Sequence, residues 1–221
     1  MLEPSGLYYP NRFARLFLQA IDEVMGKHGL NTLLSMAELE QYLDNLPPDN
    51  LAKQFDFAYI AAISQALEDM YGARGGRGIA LRIGRATFSR GMKHFGMMAG
   101  MADPAFQALS MEKRVEMGVK ALAALFTNFT DQYTAVEDAG DHYLIRVEIS
   151  PMAWGRGIEQ PVSHALVGII QEELRYASQG YEFVVYELPR QDSNDDYLFW
   201  VNKSPIGGGT VGETAHSNRR G

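Results

Sequence analysis

The chain of 221 residues contains no cysteine. That excludes disulfides, thiol nucleophiles, iron–sulfur clusters and every zinc site built on thiolates. Positive charge is also scarce. Twenty Lys and Arg stand against 27 Asp and Glu, a net charge of −7, which argues against a dedicated nucleic-acid binder. No uninterrupted run of about 18 apolar residues occurs, as a membrane span would need. The longest candidate, Val115–Phe129, is broken by Glu116, Lys120 and Asn128. The start, MLEPSGLYYPNR, lacks the basic opening and apolar run of a secretory signal. A cytoplasmic protein is the expectation. The histidines, His28, His94, His142, His164 and His216, show no metal-ligand spacing. No Gly-x-Ser-x-Gly turn or phosphate-loop ending appears. No catalytic residue, metal site or cofactor is expected, and an enzyme is the less favoured reading.

What the chain does have is 46% hydrophobic residues, enough at this length for one domain with a substantial core. The first 130 residues read as helices. Phe13, Leu16, Phe17, Ala20, Ile21, Val24 and Met25 recur at helical spacing, with Gly26 and Gly29 as stops. Ser35 and Glu38 form a capping-box pattern before a short helix. Asp56 caps a third helix that stops at Gly72, and Ala73–Gly78 reads as a flexible turn. Asp103-Pro104 and Ser110 mark two further helix starts, the second opening a long helix with Val115, Gly118, Leu122 and Leu125 inward. After Asp131 the period falls to two. The pattern predicts a hairpin of Tyr133–Val136 and Tyr143–Ile149, a helix from Pro161 to Ser178, and strands at Tyr181–Leu188 and Tyr197–Asn202. The fold class is α+β, a helical N-terminal half followed by β-β-α-β-β. The tail 207–221 lacks apolar content and is expected to be disordered.

Two features stand out. Gly84, Phe88, Gly91, Phe95 and Met98 fall at steps of 4, 3, 4 and 3, one helical face of small and large residues. Glycine costs a helix about 1 kcal/mol relative to alanine, so such a face admits a close neighbour, either another helix or an apolar ligand. Six of the eleven methionines (Met92, Met97, Met98, Met101, Met111 and Met117) cluster around it. Thioethers line adaptable apolar sites, though they also fill cores and dimer seams. The candidate ligand-binding residues are Gly84, Phe88, Met92, Phe95, Met98, Phe106, Phe126 and Trp154. To these we add Arg156, as a partner for a polar head, and His164, for which a satisfied core histidine is the competing reading.

The segments Ile145–Gly157 (IRVEISPMAWGRG), Pro161–Glu172 (PVSHALVGIIQE), Gly180–Glu187 (GYEFVVYE) and Trp200–Pro205 (WVNKSP), with the glycine-containing helix Gly78–Gly96, resemble the 4-vinyl-reductase domain family. The resemblance spans residues 51–206, with 1–50 as an N-terminal helical extension. It implies a four-stranded antiparallel sheet covered by helices, an apolar pocket and a homodimer. Members of that family bind small molecules or hydrocarbons, and one branch is associated with vinyl reduction in bacteriochlorophyll synthesis. The fold is related to TRAPP transport subunits and to haem–nitric-oxide-binding domains. Cysteines common in the family are replaced here by Ser163, Arg190 and Leu198, and the Tyr-x-Ser-x-Arg pattern of the haem relatives is missing. The resemblance therefore implies a carrier or sensor of a hydrophobic lipid- or tetrapyrrole-like molecule, without a metal. The alternatives are a protein of tetrapyrrole vinyl reduction and a structural dimer with no ligand. No nucleic-acid partner is implied.

Overall fold

The computed structural model describes residues 2–97, 99–157, 160–192 and 196–207. Met98 and the tail beyond Gly207 lie outside these. The element order is β1 (Tyr8–Pro10), α1 (Asn11–Met36), β2 (Lys53–Asp56), α2 (Phe57–Phe95), α3 (Pro104–Gln107), α4 (Met111–Phe129), β3 (Thr134–Asp138), β4 (His142–Val147), α5 (His164–Ala177), β5 (Phe183–Glu187) and β6 (Tyr197–Pro205).

The helix starts follow the capping chemistry. Asp56 accepts a hydrogen bond from Ala58 N, Asp103 from Ala105 N and Ser110 from Lys113 N, each satisfying a first-turn donor that has no partner within its helix. The stops are local left-handed breaks. Gly26 (φ 75°) kinks α1 and Gly72 (φ 69°) kinks α2, conformations glycine adopts without a Cβ penalty. Three expectations need correction. Gly29 stops nothing, because α1 resumes after Gly26 and runs to Met36. Ser35 caps no helix. It lies inside α1, while Glu38 turns to φ 56° before a single 3-10 turn at Glu40–Tyr42. The glycine-rich Ala73–Gly78 is helical, because its conformational cost is spread over a helix held at its far end by packing.

The main sheet has the order β3-β4-β6-β5, all antiparallel. Alternation decides its faces. Tyr143, Ile145 and Val147, Phe199 and Val201, and Phe183 and Val185 point inward and are buried. Ile149, expected on the same face, lies beyond the end of β4 and is exposed. Helices α4 and α5 cover the inner face, and α2 with α1 covers α5 in turn. The result is three layers, sheet, α4/α5 and α1/α2. A small ribbon of β1 and β2, not foreseen from sequence, ties the N-terminus to the start of α2. Residues before position 51, Leu18, Ile21, Leu33 and Leu34 among them, belong to the same buried cluster as Phe199 and Val201.

The crossing of α2 and α5 sets the distance between the helical layers. A Cβ on Gly84 would sit 2.8 Å from the Ala165 carbonyl carbon and 2.9 Å from Ile169 N, and closer still to the Ala165 oxygen. A Cβ on Gly168 would meet the Leu81 backbone in the same way. Each helix thus presses its backbone into the notch left by the other's glycine.

Candidate functional site

That crossing leaves a cavity beside it. About 90 Å³ of partly open space lies between the α1/α2 layer and the α4/α5 layer. α1 contributes Phe13, Leu16 and Phe17. α2 contributes Phe88, Gly91, Met92 and Phe95, and α4 contributes Leu122, Leu125 and Phe126. Leu166 and Ile169 of α5, with Met101, Met152 and Tyr9, complete the wall. The wall is half-buried at Phe13, Gly91, Met92, Ala99 and Leu125, which form its rim, and buried at Tyr9, Ile60, Met152 and Leu166, which form its floor. Aromatic rings frame it. Phe13 packs on Phe95 with ring centres 4.7 Å apart, and Tyr9 meets Phe57 edge-on at 5.1 Å, arrangements that favour the ring quadrupoles.

Polar capacity inside is already spent. Tyr9 Oη donates to Gln132 Oε1 at 2.5 Å, and Thr87 Oγ1 donates to the Ile83 carbonyl at 2.8 Å. Burial pushes the Tyr9 phenol well above its ordinary range, so it carries no charge near neutral pH. A guest gains from transfer of apolar surface out of water, about 25 cal/mol per Å², and finds no free hydrogen-bonding group on this wall.

Of the sequence candidates, Phe88, Met92, Phe95 and Phe126 line this cavity together. Met98 lies outside the described residues, and the remaining candidates go elsewhere. Gly84 is filled by the α5 backbone at the helix crossing. Phe106 is buried in the core. Trp154 donates from Nε1 to the Glu3 carbonyl at 2.9 Å. The Arg156 side chain is 2% exposed, paired with Glu68 at 2.6 Å and bonded to Gln65 and the Met152 carbonyl, so it is not free to greet a ligand. His164 lines a separate cavity of about 20 Å³ with Ser64, Glu68 and Gly76. Burial, then the neighbouring Arg77, lowers its pKa against the pull of Glu68. The main cavity takes none of its lining residues from the four-stranded sheet. Its walls are helices, because α4 and α5 already occupy the inner sheet face. Sequence reasoning placed Phe13, Leu16 and Phe17 at helical spacing but not at the cavity. Their helical spacing was visible, but which face met empty space was not.

A second polar cluster lies where β5 meets the start of α5. Glu187 accepts from Ser163 N at 2.6 Å and from Ser163 Oγ at 3.1 Å, and Ser163 Oγ lies 2.7 Å from Ser150 Oγ. The carboxyl therefore serves as the cap that α5 lacks locally. Burial outweighs these bonds and pushes its pKa up to about 6. Protonation thus contributes stability fully present below the unfolded value near pH 4.3, and lost as pH rises through about 6. The difference amounts to about 2 kcal/mol. Glu187→Gln should flatten the pH dependence of unfolding free energy across this window in denaturant titrations. An unchanged slope in the variant would assign the dependence to another group.

No family model and no curated protein matches the sequence significantly. Solved structures do match in fold. A doubly substituted Tt H-NOX is 14% identical with a TM-score of 0.56, over 89% of this chain and 96% of that one. An Fe(II) unliganded H-NOX protein from K. algicida is 12% identical with a TM-score of 0.55, over 87% of this chain and 95% of that one. A third, described under modulation of heme redox potential by porphyrin distortion, is 12% identical with a TM-score of 0.55 over 87% and 99%. At this identity the likeness is one of fold. The cavity described here does not fit a haem. Its wall holds no imidazole or thiolate, its phenol is committed to Gln132, and no cation lines it to meet a propionate. His94 is exposed and outside the wall. No group of three or more metal-ligating side chains occurs among the described residues, and none of their helices is long and apolar enough to cross a membrane.

Proposed function

We propose that the protein binds a small hydrophobic molecule in the α1/α2–α4/α5 cavity and acts as a homodimeric carrier or sensor, a non-enzymatic member of the 4-vinyl-reductase-like group. The observation that carries this reading is a cavity whose wall is apolar and whose only hydroxyls are internally bonded. A void of this kind is costly to keep. Each missing contact lowers stability, and a guest recovers that loss. A cavity of about 150 Å³ accommodates a benzene ring, so about 90 Å³ favours a slim hydrocarbon segment over a flat macrocycle. Met92, Met101 and Met152, flexible along their side chains, supply the adaptability a longer guest requires. The enzyme alternative has no hydride-supplying cofactor fingerprint in the sequence to support it.

The test is native mass spectrometry of the purified protein, paired with titration of a fluorescent fatty acid. The expected result is a species at twice the 24.6 kDa chain mass that carries or takes up one apolar molecule per chain. A protein that neither co-purifies with an apolar molecule nor binds the probe would overturn the ligand reading. A species at single chain mass at micromolar concentration would overturn the dimer.

A further inference from the structure

The seam between α4 and α5 contains a carboxyl that the cavity and the caps do not use. Glu173 of α5 is 0% exposed, and neither of its carboxyl oxygens has a hydrogen-bond partner among the described residues. Opposite it on α4 stands Gly118. A Cβ there would lie 3.0 Å from the Glu173 carboxyl carbon and closer to Oε1, so the seam is shaped around this side chain. Buried carboxyls are normally hydrogen-bonded or paired.

The groups around it do not supply a partner. Arg114, one turn away on α4, is buried but committed. Its Nε donates to the Ala177 carbonyl at 2.6 Å, and its Nη1 donates to the Leu109 and Gln107 carbonyls at 2.6 and 3.3 Å. From the sheet, Tyr143 of β4 is a titratable neighbour, itself raised by burial, then by Glu116 and Asp138, and least by Glu173. Lys203 of β6 stands over the Tyr143 ring, 4.5 Å from its centre, and pairs with Asp138. Burial holds the Glu173 carboxyl well above the ordinary range, and no charge on α2, α4 or the sheet offsets it. Both helices of the seam also wall the cavity, α4 through Leu122, Leu125 and Phe126 and α5 through Leu166 and Ile169.

We propose that the α4–α5 seam is a proton-controlled joint, closed while Glu173 carries its proton and parting to admit water when Glu173 ionises, which loosens one wall of the cavity. The closed seam accommodates only the neutral acid, because an ionised carboxylate there, fully buried, has no donor among the described residues. The parted seam lets Glu173 ionise at its ordinary value near 4.3. Between that value and the value in the closed seam, each pH unit favours the parted form about tenfold. Gly118 is part of the device, since any larger residue would fill the space the neutral carboxyl occupies.

The test is hydrogen exchange of the whole protein followed by mass spectrometry from pH 6 to 9, corrected for the intrinsic base catalysis of exchange. It needs no ligand and is independent of the cavity's role. Peptides covering residues 111–129 should exchange about tenfold faster per pH unit in the natural protein until the closed-seam carboxyl itself ionises. In Glu173→Gln the same peptides should show no such acceleration. Identical corrected profiles in the two proteins would overturn the proposal. Should the Gln variant fail to fold, ¹³C NMR of the Glu173 carboxyl in the natural protein decides. A carboxyl still protonated above pH 6 supports the joint, and one that titrates near 4.3 overturns it.

Discussion

Gly84→Ala is expected to destabilise the protein by about 3 kcal/mol or more, at the upper end of overpacking costs. One methyl group is added, but what it meets is backbone. The new Cβ would collide with the Ala165 carbonyl and press on Ile169 N. No rotamer change relieves that clash, so α5 must move away from α2. Because Gly168 seats the Leu81 backbone in the reciprocal notch, the displacement breaks both halves of the crossing. For a chain of this size the loss corresponds to a fall in Tm of roughly 6–12 °C. Gly78→Ala is the control. It lies in the same helix with open space beside it, and there alanine should stabilise by up to about 1 kcal/mol through helix propensity alone. Equal melting temperatures for the two variants would mean that the crossing is not as close as described.

Gly91→Leu should remove ligand binding, at least tenfold in probe affinity, with the melting temperature unchanged or raised. Gly91 lines the cavity, and a Cβ built on it meets no atom within 4 Å. A leucine there fills the space a guest needs, improves the helix by up to about 1 kcal/mol and buries apolar surface. Ser89→Leu projects about 160° away around the helix, from an exposed position, and should leave probe affinity as it was. Unaltered binding in Gly91→Leu would place the guest elsewhere. Gly84 and Gly91 share one helical face and one spacing, yet the first is a joint between helices and the second an opening into the cavity.

That contrast shows how far the sequence reached. The four strands, the long helix from Ser110, the caps at Asp56 and Asp103 and the break at Gly72 were legible, because capping and alternation are encoded locally, whereas the pairing of the strands into one antiparallel sheet was what the family resemblance implied. The face carrying Gly84, Phe88, Gly91 and Phe95 was legible as a face. Which glycine received a backbone and which bordered empty space depends on where α5 lies, and nothing local encodes that. Arg156 and Trp154 looked like ligand contacts because arginine and tryptophan favour such places. Their actual partners, Glu68 and the Glu3 carbonyl, are 88 and 151 residues away along the chain. The helix following Gly72 was misread for the opposite reason. Three glycines in six residues signal a turn locally, and packing at the far end of α2 overrides that signal.

The ribbon of β1 and β2 bears on how the chain comes together during synthesis. Tyr8 N donates to Asp131 Oδ2 at 2.8 Å, Asp131 N returns a bond to the Tyr8 carbonyl, and Lys53 pairs with the same carboxylate. Strand β1 is therefore made well before its partner at Asp131, and its contacts close over 123 residues. At about 5–20 residues per second, roughly 6–25 s separate the emergence of Tyr8 from that of Asp131. Throughout that interval Tyr9 and the apolar face of α1 lack the α4 wall that later covers them. The β1–α1 stretch thus needs shielding until then, and the Asp131 clasp closes over it only after α4 has been made.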